Sequence, residues 1–263
     1  MKEINVNNQL KCKFLLYPDN QPHVKVLDIN EGDEVNVTIS LTSSLRVINL
    51  LQVSNALKHL FAKKKTLTIP YLMGARFDRV METGDSLDLE VIADLINSCG
   101  FEKVVLFDVH SEVATMAIKN SINITNRELV DKYDKPNSII ICPDAGAVKK
   151  IGKYLEWNKN IVDVVYCTKN RDLSNGKLTI KVLEPEKCKD RNCVIIDDLC
   201  DGGGTFLGIA SQIEPLNLSL IVSHGIFSNG LKVFNDKFNE IIVSDSYEHS
   251  YDSHIVKTVK IFS

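Results

Sequence analysis

The chain has 263 residues, 44% of them apolar, and sets 31 basic side chains against 34 acidic ones for a formal charge of −3, which allows one large α/β domain or two smaller ones, each with its own core. A near-neutral charge with no basic run longer than Lys63, Lys64 and Lys65 excludes a nucleic-acid surface built on phosphate neutralisation. No apolar run reaches the roughly 20 residues that cross a bilayer, and Met1 to Asn5 carries no signal-peptide core, so a cytosolic protein with no membrane partner is expected.

Taken in chain order, the first 45 residues alternate apolar and polar over Lys13 to Tyr17, His23 to Leu27 and Glu34 to Ile39, with turn residues between them. That pattern predicts an antiparallel β meander. From there the spacing changes: an amphipathic stretch from Leu45 to Phe61 predicts a helix, and the aliphatic run Leu67 to Leu72 a buried strand. A second helix is expected over Ser86 to Cys99, capped by Asp85 or Ser86, favoured by Asp88 and Glu90 in its first turn and stopped by Gly100. Strand 103–107 follows, then a low-hydrophobicity stretch from Asn123 to Asn137 that reads as a seam between two domains, 1–125 and 126–263. Beyond it lie strands at Ser138 to Cys142, Val162 to Cys167, Cys193 to Ile196, Leu218 to Val222 and Glu240 to Val243, with helices over Gly146 to Trp157 and Thr205 to Ile213. Alternating strand and helix predicts an α/β fold with parallel sheets flanked by helices. Seven scattered cysteines, with no C-x-x-C pair and no zinc spacing, read as reduced thiols.

In parallel sheets, ligands bind beyond the carboxyl ends of the strands, and those positions are polar here. They carry Arg76, Asp78 and Arg79, then Asp108 and His110, Asp144, Lys169 and Arg171, then Asp197, Asp198 and Asp201, and finally His224 and Asp245. The densest segment is Cys193-Val194-Ile195-Ile196-Asp197-Asp198-Leu199-Cys200-Asp201-Gly202-Gly203-Gly204-Thr205-Phe206. A buried strand ends in two carboxylates, and a glycine turn then opens a helix whose backbone N–H groups suit a phosphate. The carboxylates suit sugar hydroxyls or a magnesium ion. No lysine follows the glycines and no G-x-G-x-x-G is present, which excludes a P-loop and a dinucleotide fingerprint.

This segment resembles the phosphoribosyl pyrophosphate loop of the type I phosphoribosyltransferase fold, and the wider match is to the ribose-phosphate pyrophosphokinases. Ile69 to Arg79 is similar to that family's ATP-contacting segment, Asp108-Val109-His110 to its metal and ATP motif, and Pro143-Asp144-Ala145-Gly146 to its pyrophosphate loop. Lys169-Asn170-Arg171 with Asn175 resembles its mobile catalytic loop, and His224 to Ser228 a strand-end motif. The resemblance implies two phosphoribosyltransferase-like domains and transfer of pyrophosphate from ATP to the anomeric hydroxyl of a 5-phosphorylated ribose, with AMP leaving. It implies Mg2+ with Asp108, His110 and Asp144, ATP binding by Arg76, Asp78, Arg79 and the hairpin residues Tyr17, Asp19 and Gln21, and catalysis by Lys169, Arg171 and His110. Asp197 and Asp198 would orient the ribose, and Asp201, Gly202, Gly203, Gly204 and Thr205 would hold its phosphate. A homodimer or hexamer is implied as well.

The chain departs from the family pattern at several places: Tyr17 and Gln21 in the hairpin, Phe77, Lys119, Asn123, Asn170, and Gly202 in place of a threonine. A glycine at 202 is expected to open the phosphate cradle, which leaves ribose 5-phosphate and ADP-ribose both open as acceptors, the latter tied to NAD metabolism. A phosphoribosyltransferase and a non-catalytic regulatory relative are the competing readings.

Overall fold

Unbroken aliphatic runs become central strands, and polar or alternating runs become edges. The computed structural model describes residues 1–171, 178–247 and 250–262, apart from the side chains of residues 170, 171 and 178. It divides into two units, Met1–Thr125 with Phe262, and Asn126–Ile261. The fold class is the expected α/β arrangement with parallel sheets.

The first unit runs β1 (Lys2–Asn5), β2 (Cys12–Leu16), β3 (Pro22–Val26), β4 (Glu34–Thr38), α1 (Ser44–His59), β5 (Lys64–Ile69), α2 (Asp88–Ser98), β6 (Lys103–Phe107), α3 (Val113–Ala117) and β7 (Ser121–Ile124). β1, β4, β5, β6 and β7 form one sheet in that order, every pair parallel. The meander expected at the N-terminus is a two-stranded hairpin instead: β2 pairs antiparallel with β3, while β4 joins the parallel sheet between β1 and β5. β4 alternates for another reason. Val35 and Val37 face the core, fully buried, whereas Asn36 on the other face donates to Glu3 at 2.8 Å and accepts from Thr66 and Thr68 at 2.8 and 3.3 Å.

β5 begins three residues before its predicted start, where Lys64 pairs with Glu34 of β4, and ends at Ile69 because Pro70 has no N–H to donate to the ladder. Only an isolated bridge between Leu41 and Leu72 continues beyond it. Ser43 caps α1, its hydroxyl accepting from the Arg46 N–H. α2 carries Asp88 and Glu90 in its first turn as expected, but Leu87 stands at its N-cap with no side-chain bond. The Asp85 carboxylate is turned back to the Glu82 N–H at 2.9 Å. Gly100, at φ +65°, ends the helix in a left-handed residue.

The second unit runs α4 (Arg127–Val130), β8 (Ser138–Cys142), α5 (Val148–Trp157), β9 (Ile161–Arg171), β10 (Leu178–Val182), a 3-10 turn at Pro185–Cys188, β11 (Asn192–Cys200), α6 (Gly204–Ala210), β12 (Asn217–Gly225), a 3-10 turn at Lys232–Phe234, β13 (Glu240–Ser244) and β14 (Val256–Val259). Its sheet has the order β10-β9-β8-β11-β12-β13-β14, parallel except where β10 folds back on β9. β8 is buried at every position, and each isoleucine there contributes roughly 1.5–3 kcal/mol of burial. The polar stretch after residue 123 is packed: Leu129 and Val130 are fully buried and Tyr133 nearly so. The buried Asn158 amide donates to the Val130 and Tyr133 carbonyls at 2.7 and 2.8 Å.

All seven cysteines are buried free thiols. Burial pushes Cys12 and Cys142 up to about 11 and Cys167 to about 12, so these thiols are poor nucleophiles. Among the described residues no helix is long and apolar enough to cross a membrane.

Candidate functional site

In the first unit the chemistry gathers in the turn that follows β6. Asp108 is nearly buried and sits at φ +37°, a conformation that disfavours a side chain. The Asp108 N–H donates to the Ile124 carbonyl at 2.8 Å, and the next amide, Val109, donates to the Asn123 side-chain oxygen at 3.2 Å. These two bonds tie the turn to β7 and leave His110 exposed beyond it. Asp78 joins the same group. Its carboxylate accepts from Arg79 Nε at 2.9 Å and Nη2 at 3.3 Å. That guanidinium holds the Asp78 carboxyl below its usual pKa, with the Ser111 hydroxyl and the charge of His110 acting in the same sense. Asp78, Arg79, His110 and Ser111 are therefore neighbours, and Arg76 lies exposed in the turn that leads to them.

Tyr17, Asp19 and Gln21 occupy the tip of the β2–β3 hairpin, where the Tyr17 N–H donates to the Gln21 carbonyl at 3.0 Å and the Gln21 N–H to the Asp19 carboxylate at 3.1 Å.

In the second unit the sheet supplies the geometry. β8 continues through α5 to β9 on one side, while β11 on its other side leads away through α6 to β12. Connections that leave two adjacent parallel strands in opposite directions open a crevice at their carboxyl ends. Asp144 follows β8, and its Oδ1 accepts the N–H groups of Gly146 and Ala147 at 2.9 and 3.1 Å. Its Oδ2 lies 3.5 Å from Lys169 Nζ, each side chain about a third exposed. Asp197 and Asp198 stand on β11, with the Asp198 N–H donating to Asp197 Oδ1 at 2.9 Å. Burial raises Asp197 well above the usual carboxylate value, and the charges of Asp198 and Asp144 add to it.

Lys169 and Arg171 were expected in a mobile loop. Their backbone instead belongs to β9, Lys169 opposite Ile180 and Arg171 opposite Leu178, because the strand continues as a ribbon with β10 past the end of β8. Asp172, Ser174, Asn175 and Gly176 lie outside the described residues, as does the Arg171 side chain.

The glycine turn follows β11. Gly203 lies at φ +80°, and a Cβ there would collide with the Phe234 ring, so both backbone and packing require glycine. The opening expected at Gly202 is absent: a Cβ at 202 would come within 2.7 Å of Asn229 Nδ2 and 3.5 Å of Ser228 Oγ. The space a threonine would fill belongs to Asn229. His224, at the end of β12, is nearly buried, with Nδ1 2.8 Å from the Ser246 hydroxyl. Ser111, Asn229 and Phe234 escaped the sequence reading, and Asn123 entered it only as a departure from the family pattern, since each acts on a residue that only folding brings near.

Among the described residues no group of three or more His, Cys, Asp or Glu side chains is gathered as a metal cage. Magnesium takes few protein ligands and keeps waters and substrate phosphates, so single carboxylates such as Asp108 and Asp144 suit it. The His110 imidazole is a softer donor than this cation prefers.

The phosphoribosyl transferase domain model matches residues 108–251. A ribose-phosphate pyrophosphokinase of Agrobacterium fabrum is 25% identical over 96% of this chain and 87% of its own length. One from Mycoplasmopsis pulmonis is 28% identical over 82% and 70%. A solved phosphoribosylpyrophosphate synthetase from Mycobacterium smegmatis superposes with a TM-score of 0.82 at 18% identity, covering 95% of this chain and 85% of that one, which shows a shared fold. The resemblance drawn from the motifs is thus borne out, and the chain belongs to the phosphoribosyl transferase domain family.

Proposed function

We propose that the protein transfers the pyrophosphoryl group of ATP to the anomeric hydroxyl of ribose 5-phosphate, releasing AMP. One observation carries this reading: the crevice beside β8 and β11 collects the Asp144–Lys169 pair, the Asp197–Asp198 pair and the glycine turn in a single unit. The names of the curated relatives support it.

In this reading the backbone of 201–205 and the Thr205 hydroxyl hold the 5-phosphate. Asp198 accepts from the ribose hydroxyls, and Asp197, which keeps its proton more readily than an ordinary carboxyl, both donates and accepts. Lys169 and Arg171 stabilise charge on the transferring group, a reaction that asks for alignment and electrostatics rather than covalent catalysis. Arg76, Asp78, Arg79 and His110 contact ATP in the first unit, joined in the resemblance by Tyr17, Asp19 and Gln21. The carboxylates of Asp108 in the first unit and Asp144 in the second would each suit Mg2+, which when bound would neutralise phosphate charge. The exposed Leu15, Leu16 and Tyr17 support a homo-oligomer, which sedimentation would decide.

Ribose 5-phosphate is preferred over ADP-ribose because Asn229 fills the space that Gly202 was expected to leave for a larger phosphate substituent. The test is incubation of the protein with ATP, Mg2+ and each sugar in turn, with products identified by mass. AMP with a 1-pyrophosphorylated ribose 5-phosphate is the expected result. AMP formation with ADP-ribose alone would move the acceptor, and no AMP with either would favour a phosphoribosyltransferase or a regulatory role.

A further inference from the structure

Three successive residues of the glycine turn are met by one downstream segment. Ser228 donates its hydroxyl to Asp201 Oδ1 at 2.7 Å and its N–H to the Asp201 carbonyl at 3.2 Å. Asn229 Nδ2 donates to the Gly202 carbonyl at 3.0 Å, and the Phe234 ring covers Gly203. Upstream, the Cys200 carbonyl accepts from Ile226 and Phe227 at 2.8 and 3.2 Å. The turn that presents Ser228 and Asn229 is itself fixed. Gly230 closes it on the Phe227 carbonyl at 2.7 Å, and the Phe227 ring meets Phe234 and Tyr251 edge-on at 5.6 and 5.3 Å. Tyr251 in turn donates to the Gly225 carbonyl at 2.7 Å.

Gly202 differs from Gly203 in what requires it. Its φ lies outside the left-handed region, so an L side chain could adopt its backbone, but the space beside it is taken by the Asn229 amide. We infer that Gly202 and Asn229 are a size-matched pair, and that Asn229 is a positioning residue that fixes the backbone of the sugar-phosphate turn and so sets affinity for the acceptor's 5-phosphate. The inference rests on the function proposed above for its ligand, though not for the pairing itself. Removing Asn229, or adding a side chain at 202 that displaces its amide, breaks the same hydrogen bond.

The experiment uses Gly202→Ala, Asn229→Gly and the double variant in the full chain. Each single change is expected to raise KM for ribose 5-phosphate about 3- to 10-fold, the worth of one hydrogen bond, with KM for ATP unchanged. The double variant should be no worse than either single one, because the alanine methyl then occupies vacated space, whereas independent sites would multiply their effects. Hydrogen exchange of the peptide spanning 201–205, measured without any ligand, should speed up in both single variants. Multiplying effects, an equal rise in KM for ATP, or unaltered exchange would each overturn the pairing. Failure of the wild type to form AMP would sink the proposed function, and the exchange measurement would still decide the pairing.

Discussion

The two sheets are built from the same alternation of strand and helix, yet they are wound differently. In the first unit β4, β5, β6 and β7 lie side by side in chain order, so every crossover steps the same way, and α1 packs on α2 and α2 on α3. In the second unit the chain reverses across β8 and β11. Only that reversal opens a crevice at the strand ends, and it receives two carboxylates, an acid–lysine pair and a glycine turn from three different strands. The first unit has to present its polar groups by local means. Asp108 takes a left-handed backbone conformation, Asn123 holds the following amide, and Arg79 lies on its own neighbour. Winding gathers the polar groups in one unit, and loop geometry gathers them in the other.

If that division is real, changes in the second unit act on transfer and sugar binding, and changes in the first act on ATP. The largest effect is expected for Lys169→Ala, which should lower kcat for AMP release on the order of 10²–10³-fold, the usual cost of removing a group that meets developing charge. Arg79→Ala should raise KM for ATP by only about 3- to 10-fold, since Asp78 already shares its charge. An equal loss of kcat in both would erase the contrast. Next, Asp197→Asn with Asp198→Asn should weaken ribose 5-phosphate binding about 10- to 150-fold, on the scale of hydrogen bonds to charged groups. Calorimetry should find ATP affinity unchanged, and a matching loss for ATP would assign the pair to metal or structure.

Two stability measurements sharpen the comparison further. Gly203→Ala and Gly100→Ala each force a side chain into a left-handed backbone, at φ +80° and +65°. Nothing lies within 4 Å of a Cβ at 100, whereas the Phe234 ring blocks one at 203. Urea titration should find about 1 kcal/mol lost at Gly100 and roughly 1–3 kcal/mol more at Gly203. Equal losses would mean that Phe234 moves aside freely. The smallest effect concerns Asp197, whose folded pKa is raised. Such a group binds its proton more tightly in the folded state. Its contribution to stability is therefore fully present below the ordinary carboxylate value near 3.8 and is lost as pH rises through the folded value. Asp197→Asn should raise Tm by a few degrees at neutral pH, with the gain shrinking toward pH 4. A gain independent of pH would exclude ionisation as its source.

The buried strands were legible because β8, β11 and β12 are runs of Ile, Val and Leu covered on both faces, a pattern few other structures produce. The strand ends were less legible, since β9, β11 and β12 run on to Arg171, Cys200 and Gly225, past the last residue of each aliphatic run. β1, β7 and β14 were not legible, being four-residue edge strands with polar residues wherever one face meets solvent. β4 misled because the Asn36 ladder mimics the alternation of a solvent-facing strand. The cap expected at Asp85 failed to a competing local bond with Glu82. Asn229 was out of reach, because its partner Gly202 lies 27 positions away and neither residue carries a local signal of the other.

The backbone at Asp108 separates what the fold wants from what the chemistry needs. A non-glycine residue at φ +37° costs the folded chain on the order of 1 kcal/mol, and glycine would relieve it. Glycine would also remove the carboxylate that the proposed reaction assigns to ATP and its cation. A sequence tuned only for thermal tolerance would therefore drift away from aspartate at this position. Residue 108 is one at which robustness and turnover select for different side chains.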